Sequence, residues 1–239
     1  MLNLNNLYNI DWANLQNPHL FINGDCMEYM KTMPDKYVDL CICDPPYFAD
    51  YGKENYPGSE ISTSGVKRNL FESKFWDVPD HKYFTELIRV SKNQIIWGVN
   101  YFPDMPYLGS GRIVWDKKND ASSFSKCEIA YCSLHNRTEI FRYLWNGMLQ
   151  ENMRYKEKRI HPTQKPIALY LWILNKYAKQ GDKILDTHVG SASSLIACHR
   201  LGFDYIGFEI DSGYYEAAIK RINDEKQQMY LIKPAMEEL

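Results

Sequence analysis

Short apolar runs alternate with amphipathic stretches along most of the chain, and this alternation constrains the fold more than any other feature. Apolar runs that end in turn residues are typical of buried strands, whereas apolar residues spaced three and four apart predict helices. Strands are predicted at 20–22, 38–43, 94–98, 112–115, 128–134, 183–186 and 205–209. Helices are predicted at 27–33, 81–91, 166–177, 193–201 and 214–229. This order indicates an α/β fold with a mostly parallel sheet, because parallel neighbours need a crossover connection.

The composition is that of one globular domain, which we expect to span residues 1–239. Of the 239 residues, 45% are hydrophobic, which is enough for one sizeable core. The formal net charge of −2 excludes a protein that coats nucleic acid through bulk positive charge, so any such contact requires a local patch.

The cysteines and the apolar runs bear on metals, membranes and location. The six cysteines form no CxxC pair, and Cys41 and Cys43 point to one face of a predicted strand, so we expect free thiols and no metal site. The first residues lack the pattern of a signal peptide, and the longest apolar run is too short to span a membrane. We therefore expect a soluble cytoplasmic protein.

Two polar segments interrupt the alternation. Residues 48–75 are rich in glycine and serine and show no periodicity, so we expect a mobile loop beside a functional site. Residues 137–160 are basic and aromatic with weak periodicity. Residues 137–165 contain seven basic and three acidic side chains, with Tyr143, Trp145 and Tyr155 interleaved. This pattern favours a surface that contacts nucleic acid, and a solvated loop is the alternative.

A strand, a turn of small residues and a helix are predicted across residues 183–201. Asp186 ends the strand, and Gly190 and Ser191 open the turn. Small residues let a ligand approach the backbone, and the helix N-terminus offers free N–H groups. Glu209 ends the next strand, where an acidic side chain can bind the hydroxyls of a ribose. An ordinary tight turn would show the same pattern.

The tetrapeptide Asp44-Pro45-Pro46-Tyr47 directly follows the strand predicted at 38–43. Two prolines fix the backbone and contribute no N–H donors, so their carbonyls stay free to accept hydrogen bonds. The loop thus presents a carboxylate, a fixed carbonyl and an aromatic face. These groups match an exocyclic amino group, with its two N–H bonds, on a flat base. The alternative is a rigid turn without a function.

A third segment, residues 161–166, reads His-Pro-Thr-Gln-Lys-Pro and opens a predicted helix. Proline in the first turn is typical of a helix start. Lys165 places a positive charge where the carboxylate of a ligand could bind.

Taken in chain order, the three segments resemble the amino-methyltransferases that act on adenine N6 or cytosine N4 of DNA. The resemblance is to the group in which a DPPY-type motif comes first, an HPTQKP-type segment follows, and an FxGxG-type cofactor loop comes last. It covers nearly the whole chain. Two positions depart from the family pattern: His188 stands where the loop usually has Phe, and Ala192 where it usually has a second Gly.

The resemblance implies a doubly wound, Rossmann-like methyltransferase sheet that is circularly permuted. The chain would begin at the third strand of the common order, continue through the fourth, and finish with the first and second. S-adenosylmethionine would be the cofactor and double-stranded DNA, with the target base flipped out, the substrate. The implied cofactor-binding residues are Asp25 near the adenine, Glu209 at the ribose, Lys165 at the methionine carboxylate, and Asp186, His188, Gly190 and Ser191 in the cofactor loop.

The implied catalytic residues are Asp44, Pro45, Pro46 and Tyr47. Asp44 and the Pro45 carbonyl would accept the two amino hydrogens, and Tyr47 would stack on the extruded base. An Asp-first tetrapeptide favours adenine N6 over cytosine N4 by the same resemblance. The short 137–160 region predicts a brief target sequence or the help of a second subunit in a homodimer.

Three other functions fit parts of the sequence. Structured RNA could replace DNA as the substrate. A methyltransferase-like binding subunit without catalysis would explain His188 and Ala192, although the intact tetrapeptide speaks against it. A dehydrogenase would require its glycine-rich turn near the N-terminus and would have no use for Asp44-Pro45-Pro46-Tyr47.

Overall fold

The computed structural model describes residues 10–48, 50–51, 74–121, 125–146 and 149–237. The strands are β1 (His19–Asn23), β2 (Val38–Cys43), β3 (Asp50–Tyr51), β4 (Lys74–Phe75), β5 (Ser91–Trp97), β6 (Arg112–Asp116), β7 (Cys127–Cys132), β8 (Thr138–Arg142), β9 (Trp145–Asn146), β10 (Leu149–Gln150), β11 (Lys183–Asp186) and β12 (Asp204–Glu209). The helices are α1 (Cys26–Met30), α2 (His81–Val90), α3 (Ile167–Tyr177), α4 (Ser193–Leu201) and α5 (Ser212–Glu237).

Eight of these strands form one sheet in the order β1-β12-β11-β2-β5-β7-β6-β8. The pairings from β1 through β5 are all parallel, and β7 pairs antiparallel with both β5 and β6. The central strands carry nearly continuous apolar runs because helices cover both of their faces. The prediction of an α/β fold with a mostly parallel sheet is confirmed.

The chain order around the sheet is that of a circular permutation. The last two strands of the chain, β11 and β12, insert between the first two, β1 and β2. The spatial order β1-β12-β11-β2-β5 therefore corresponds to 3-2-1-4-5 of the doubly wound fold. The expected permutation is confirmed, and its switch point lies between β11 and β2.

Two apolar layers enclose the sheet. Leu40 and Ile42 of β2 face a layer that includes residues of α3, α4 and α5. Cys41 and Cys43 of the same strand face the opposite layer, which α1 and α2 cover. The two thiols thus share one face, as the alternation of side chains along a strand predicts.

Several sequence-based boundaries were wrong. The segment at 137–160 was expected to be irregular, but β8 lies within it and pairs in parallel with β6 at the sheet edge. Its side chains alternate between exposed and half-buried, which weakens the apolar signal of an edge strand. The first helix was expected at 27–33 but spans Cys26–Met30. It begins at Cys26 because the Asp25 carboxylate caps it by accepting from the Met27 N–H.

The expected loop at 48–75 lies largely outside the described residues. Its described ends pair with each other, β3 running antiparallel to β4. Within the described part of the chain, no helix combines the length and apolar character that crossing a membrane requires.

The core beneath α2 gives a prediction for stability. Phe84 is fully buried and packs against the ring of Phe102, with 5.4 Å between the ring centroids. Replacing it with alanine leaves a cavity, so Phe84→Ala should lower the free energy of unfolding in urea by about 3–5 kcal/mol. Tyr107→Ala is the control, because this ring is 84% exposed. Equal losses in the two variants would contradict this packing.

Candidate active site

The carboxyl ends of the parallel strands meet at one edge of the sheet, where they surround a cavity of about 610 Å³. The loops after β1, β2, β11 and β12 all contribute to its wall. A doubly wound sheet places its ligand site at this edge, beside the switch point. A cavity of this size is in the range that holds a cofactor.

All but one of the predicted site residues line this single cavity. Asp186 does not appear among the described residues of its wall. The predicted residues that do line it are Asp25, Asp44, Pro45, Pro46, Tyr47, Lys165, His188, Gly190, Ser191 and Glu209.

The turn after β11 has the backbone of a ligand-binding loop. Gly190 and Ala192 both have positive φ, +53° and +64°. The Glu209 carboxylate accepts a hydrogen bond of 2.8 Å from the Gly190 N–H and a second, of 2.9 Å, from the Asp211 N–H. The left-handed conformation explains why the family usually has glycine at position 192, because alanine is strained there.

Asp186 lies one layer behind the cavity wall. Its carboxylate accepts hydrogen bonds from the Ser194 hydroxyl and from the His188 N–H, the latter at 3.0 Å. Burial raises the pKa of Asp186 to about 7, against the opposing effect of these two hydrogen bonds. Its place in the structure is therefore that of a residue that shapes the turn.

His188 is held by a chain of hydrogen bonds from α2. The Tyr83 hydroxyl lies 2.6 Å from the Thr187 hydroxyl, which lies 3.0 Å from His188 Nδ1. Burial lowers the pKa of His188 to about 4, so the imidazole is neutral at pH 7. A neutral ring in a fixed orientation can serve as the flat wall that phenylalanine usually provides.

The Asp44 carboxylate has a donor on each oxygen. The Tyr47 hydroxyl donates to Oδ1 at 2.5 Å, and the Lys165 ammonium lies 2.7 Å from Oδ2. Burial raises the pKa of Asp44, Lys165 lowers it, and Glu128 raises it, with a net increase. Asp44 is therefore a carboxylate whose ionisation depends on its neighbours.

Lys165 lines the cavity, where its ammonium is paired with two carboxylates. The ammonium lies 2.7 Å from Asp44 Oδ2 and 2.5 Å from Glu128 Oε2. Burial alone would lower the pKa of Lys165, but the two carboxylates raise it above its usual value. The lysine is thus a charged member of the Asp44 environment.

Tyr47 packs over Gly98 and against further aromatic rings. A Cβ at position 98 would lie 2.0 Å from the ring of Tyr47, and Gly98 has a φ of +75°. Tyr101 stacks on Tyr47 with 5.0 Å between centroids and 14° between planes, and Phe48 meets Tyr101 edge-on at 5.1 Å. Sequence reasoning did not identify Tyr101 or Phe48 as site residues.

Glu128 is another member of the site that sequence reasoning did not assign. It lies on β7, and its two oxygens bind Lys117 and Lys165, each at 2.5 Å. Burial raises the pKa of Glu128, but the two lysines more than offset this effect and hold it below the usual value. An acidic residue inside an otherwise apolar strand was the signal that could have found it.

The charged side chains of the cavity wall are predominantly acidic. Its acidic side chains are Asp25, Asp44, Asp77, Asp80 and Glu209, and its one lysine among the described residues, Lys165, is already paired. This charge suits a ligand with a positive centre, such as a sulfonium. Together with the small residues of the turn after β11, it fits S-adenosylmethionine. No cluster of three or more metal-binding side chains occurs among the described residues.

The aromatic residues expected on a nucleic-acid surface differ in exposure. Trp145 is 6% exposed and belongs to the core, so it does not form part of an outer surface. Tyr155 is 71% exposed, and the guanidinium of Arg154 lies 5.4 Å from its ring centroid. The exposed part of this segment is therefore centred on Arg154 and Tyr155.

Fold and site together define a class: an α/β methyltransferase-type sheet with a cofactor loop and an Asp-Pro-Pro-Tyr loop in one cavity. Comparisons with known proteins show what this class is similar to. A family model described as DNA methylase matches residues 113–220. The chain is 25% identical to the type II methyltransferase M.HinfI of Haemophilus influenzae, over 86% of this chain and 68% of that protein.

Two further comparisons agree. The chain is 24% identical to the type II methyltransferase M2.DpnII of Streptococcus pneumoniae, over 89% of this chain and 92% of that protein. Its fold is similar to that of M1.HpyAVI solved with S-adenosylmethionine, with a TM-score of 0.53, 20% identity, and coverage of 84% and 98%. The resemblance to DNA amino-methyltransferases is therefore confirmed, as is S-adenosylmethionine as the cofactor of that class.

Gly98 gives a prediction for the position of Tyr47. Gly98→Ala should displace the Tyr47 ring, because the new methyl group would overlap it. Gly202→Ala is a matched control: Gly202 has φ +73°, close to that of Gly98, and a Cβ there would meet nothing within 4 Å. Both variants should carry the left-handed strain of about 1–2 kcal/mol, and only Gly98→Ala should lose more, measured by urea unfolding. Equal losses would mean that the Tyr47 ring does not occupy this place.

Asp186 gives a prediction for pH. Its pKa in the folded protein, about 7, lies above the ordinary value of 3.8, so the folded state binds more protons than the unfolded state between these values. The contribution of Asp186 to the free energy of unfolding is therefore present at low pH and is lost as the pH rises from 3.8 to about 7. Asp186→Asn should flatten this part of the curve of unfolding free energy against pH. Asp224→Asn, which changes an exposed carboxylate on α5, should leave the curve unchanged; a slope in Asp186→Asn equal to that of the wild type would refute the assignment.

Proposed function

We propose that this chain transfers a methyl group from S-adenosylmethionine to the N6 amino group of adenine in DNA. The observation that carries the proposal is that the Asp44-Pro45-Pro46-Tyr47 loop and the cofactor turn with Glu209 line the same cavity. A methyl acceptor and a methyl donor must meet within one enclosed site for direct transfer, and holding them in register supplies much of the rate.

Cofactor binding is assigned to the turn after β11 and to the acidic side chains beside it. Glu209, whose carboxylate is oriented by hydrogen bonds from the Gly190 and Asp211 N–H groups, would bind the ribose hydroxyls. Asp25, at the start of α1, would face the adenine. His188 and Gly190 would form the wall and floor, with Asp186 holding the backbone of His188 from behind. The bound cofactor supplies an electrophilic methyl group on a sulfonium.

Asp44 and Pro45 carry the chemistry on the acceptor side. An exocyclic amino nitrogen is a poor nucleophile because its lone pair is delocalised into the ring. Asp44 and the Pro45 carbonyl would accept hydrogen bonds from its two N–H groups, which draws the nitrogen toward tetrahedral geometry and frees the lone pair, and the one proton released as the N–C bond forms would pass to the Asp44 carboxylate or to solvent. Pro46 contributes no N–H donor that could compete for these acceptors. This role requires Asp44 in its ionised form.

An aromatic platform of Tyr47, Tyr101 and Phe48 supports a base that has left the duplex. Tyr101 already stacks on one face of Tyr47, and Phe48 and Tyr101 are both partly exposed, 44% and 37%. An amino group inside a duplex is unreachable, so the target base must be extruded and stacked on such rings. The exposed segment with Arg154 and Tyr155 would contact the phosphates of the DNA. The positive charge of this region is a local patch on a chain whose formal net charge is −2.

Adenine is preferred over cytosine because the tetrapeptide begins with Asp44, and the cytosine-N4 enzymes of the family more often begin with serine. The distinguishing experiment uses the whole chain with labelled S-adenosylmethionine and duplex DNA of mixed sequence, followed by digestion to nucleosides and mass analysis. N6-methyladenine is the expected product. Finding N4-methylcytosine would show that the target base is cytosine instead of adenine. Label found only in a reaction with structured RNA would show that the substrate is RNA instead of DNA.

The role of Asp44 has its own test. Asp44→Asn keeps the shape of the side chain but removes its charge, so it should reduce the methylation rate by about 10²–10³-fold, as for the loss of one electrostatic contact to a transition state. Binding of S-adenosylmethionine, measured by calorimetry, should remain. Asp224→Asn is the control for rate. Methylation by Asp44→Asn at the wild-type rate would exclude the mechanism, and no cofactor binding by the wild type would favour a non-catalytic binding subunit.

A further inference from the structure

Four charged side chains form a continuous cluster next to the Asp44 loop, which we call the ion cluster: Lys117, Glu128, Lys165 and Asp44. The charges alternate along it, from Lys117 to Glu128 at 2.5 Å, to Lys165 at 2.5 Å, and to Asp44 at 2.7 Å. The four residues come from four places in the chain: the end of β6, β7, the segment before α3, and the loop after β2. Only the folded sheet brings them together.

The cluster is removed from solvent. The side chain of Lys165 is 3% exposed, and those of Asp44, Lys117 and Glu128 are 14%, 16% and 17% exposed. Buried charges are tolerated only when each is paired, and removing one partner leaves an uncompensated charge. Two positive and two negative side chains make the cluster neutral as a whole.

Lys165 has no donor left for another ligand. An ammonium has three N–H donors. Its three partners are Asp44 Oδ2 at 2.7 Å, Glu128 Oε2 at 2.5 Å and the Tyr47 hydroxyl at 3.2 Å. The Tyr47 hydroxyl accepts from Lys165 and donates its own hydrogen to Asp44 Oδ1. Two of these bonds orient residues of the Asp44 loop, and the third holds Lys165 to Glu128 on β7.

Asp44 keeps capacity for a substrate in this arrangement. An ionised carboxylate has about four lone-pair positions, and Lys165 and Tyr47 use one on each oxygen. Both oxygens are therefore fixed in direction while one lone pair on each remains open.

We propose that Lys165 and Glu128 are positioning residues: Lys165 keeps the Asp44 carboxylate ionised and aimed at the substrate, Glu128 holds Lys165 in place, and Lys165 does not bind the carboxylate of the cofactor. The first part rests on the proposed function, because the aim of Asp44 matters only if it accepts an amino hydrogen. In this arrangement Asp44 would contact the base, Lys165 orients Asp44, and Glu128 orients Lys165.

The charges around Asp44 give the two positioning residues opposite effects. The groups that face Asp44 are Lys165, Glu128 and Tyr47, with Asp186 and Tyr170 further away. Burial raises the pKa of Asp44, Lys165 lowers it, and the like charge of Glu128 raises it. Removing Lys165 should therefore raise the pKa of Asp44, and neutralising Glu128 should lower it.

The experiment compares Lys165→Met and Glu128→Gln with the wild type. Activity is lost as the pH falls through the pKa of Asp44, so the acid limb of the rate profile should move to higher pH in Lys165→Met, by about one unit or more, and to lower pH in Glu128→Gln. A loss of fold would not move the limb in opposite directions. The control is Lys176→Met on α3, which breaks the ion pair between Lys176 and Glu139 of β8 and should leave the limb in place.

Cofactor affinity separates this role from the one that the resemblance implies. By calorimetry, Lys165→Met should bind S-adenosylmethionine within about twofold of the wild type, the scatter of independent sites. A loss of about tenfold or more, as for a removed hydrogen bond to a charged group, with an unmoved acid limb would make Lys165 a cofactor ligand and overturn the proposal. Glu128→Gln retains the shape of its side chain and keeps the test available if Lys165→Met does not fold.

A titration of the ligand-free protein separates failure of this proposal from failure of the proposed function. The Asp44 carboxyl is followed by carbon-13 NMR, with its signal assigned by its absence in Asp44→Asn. Opposite shifts in the two variants without any methylated product would support the ion cluster and refute the proposed function. Methylated product with an unshifted Asp44 titration would refute the ion cluster and leave the proposed function standing.

Discussion

The parallel pairing of β11 with β2 is the constraint on which the site depends. Ile184 lies beside Leu40 and Leu185 beside Cys41, across more than half of the chain. This register places the ends of the two strands at one edge of the sheet, so the cofactor turn and the Asp44 loop open into the same cavity. The strand order reverses at this point, which gives the crevice that a doubly wound sheet offers to a ligand.

Burial controls the electrostatics of the cavity and explains why its charged residues appear in groups. Asp186, Asp44 and His188 all have pKa values displaced toward the neutral form, with desolvation as the largest cause. The effect of burial on Asp44 is partly offset by Lys165, a buried lysine whose own charge is stabilised by Asp44 and Glu128. The ionisation of one carboxylate thus depends on side chains from several distant segments.

The sequence determined much of the architecture and the class. Periodicity predicted the α/β fold, and the order of three motifs predicted the permutation, the cofactor and the resemblance to DNA amino-methyltransferases, all of which are confirmed. Strand β8 was missed because an edge strand with alternating half-exposed side chains has a weak apolar signal. Trp145 was assigned to a contact surface, since sequence composition does not distinguish an aromatic residue in the core from one outside it.

What the sequence determined by itself were the local features: strand ends that carry Asp44, Asp186 and Glu209, and turns whose glycines and prolines fix the backbone. Only the tertiary structure decided which of these groups reach the cavity. It placed Asp186 behind the wall and joined Lys165 to Asp44 and Glu128. The physical reason is that local backbone preferences act over a few residues, whereas the pairing of buried charges depends on strands that meet only in the folded sheet.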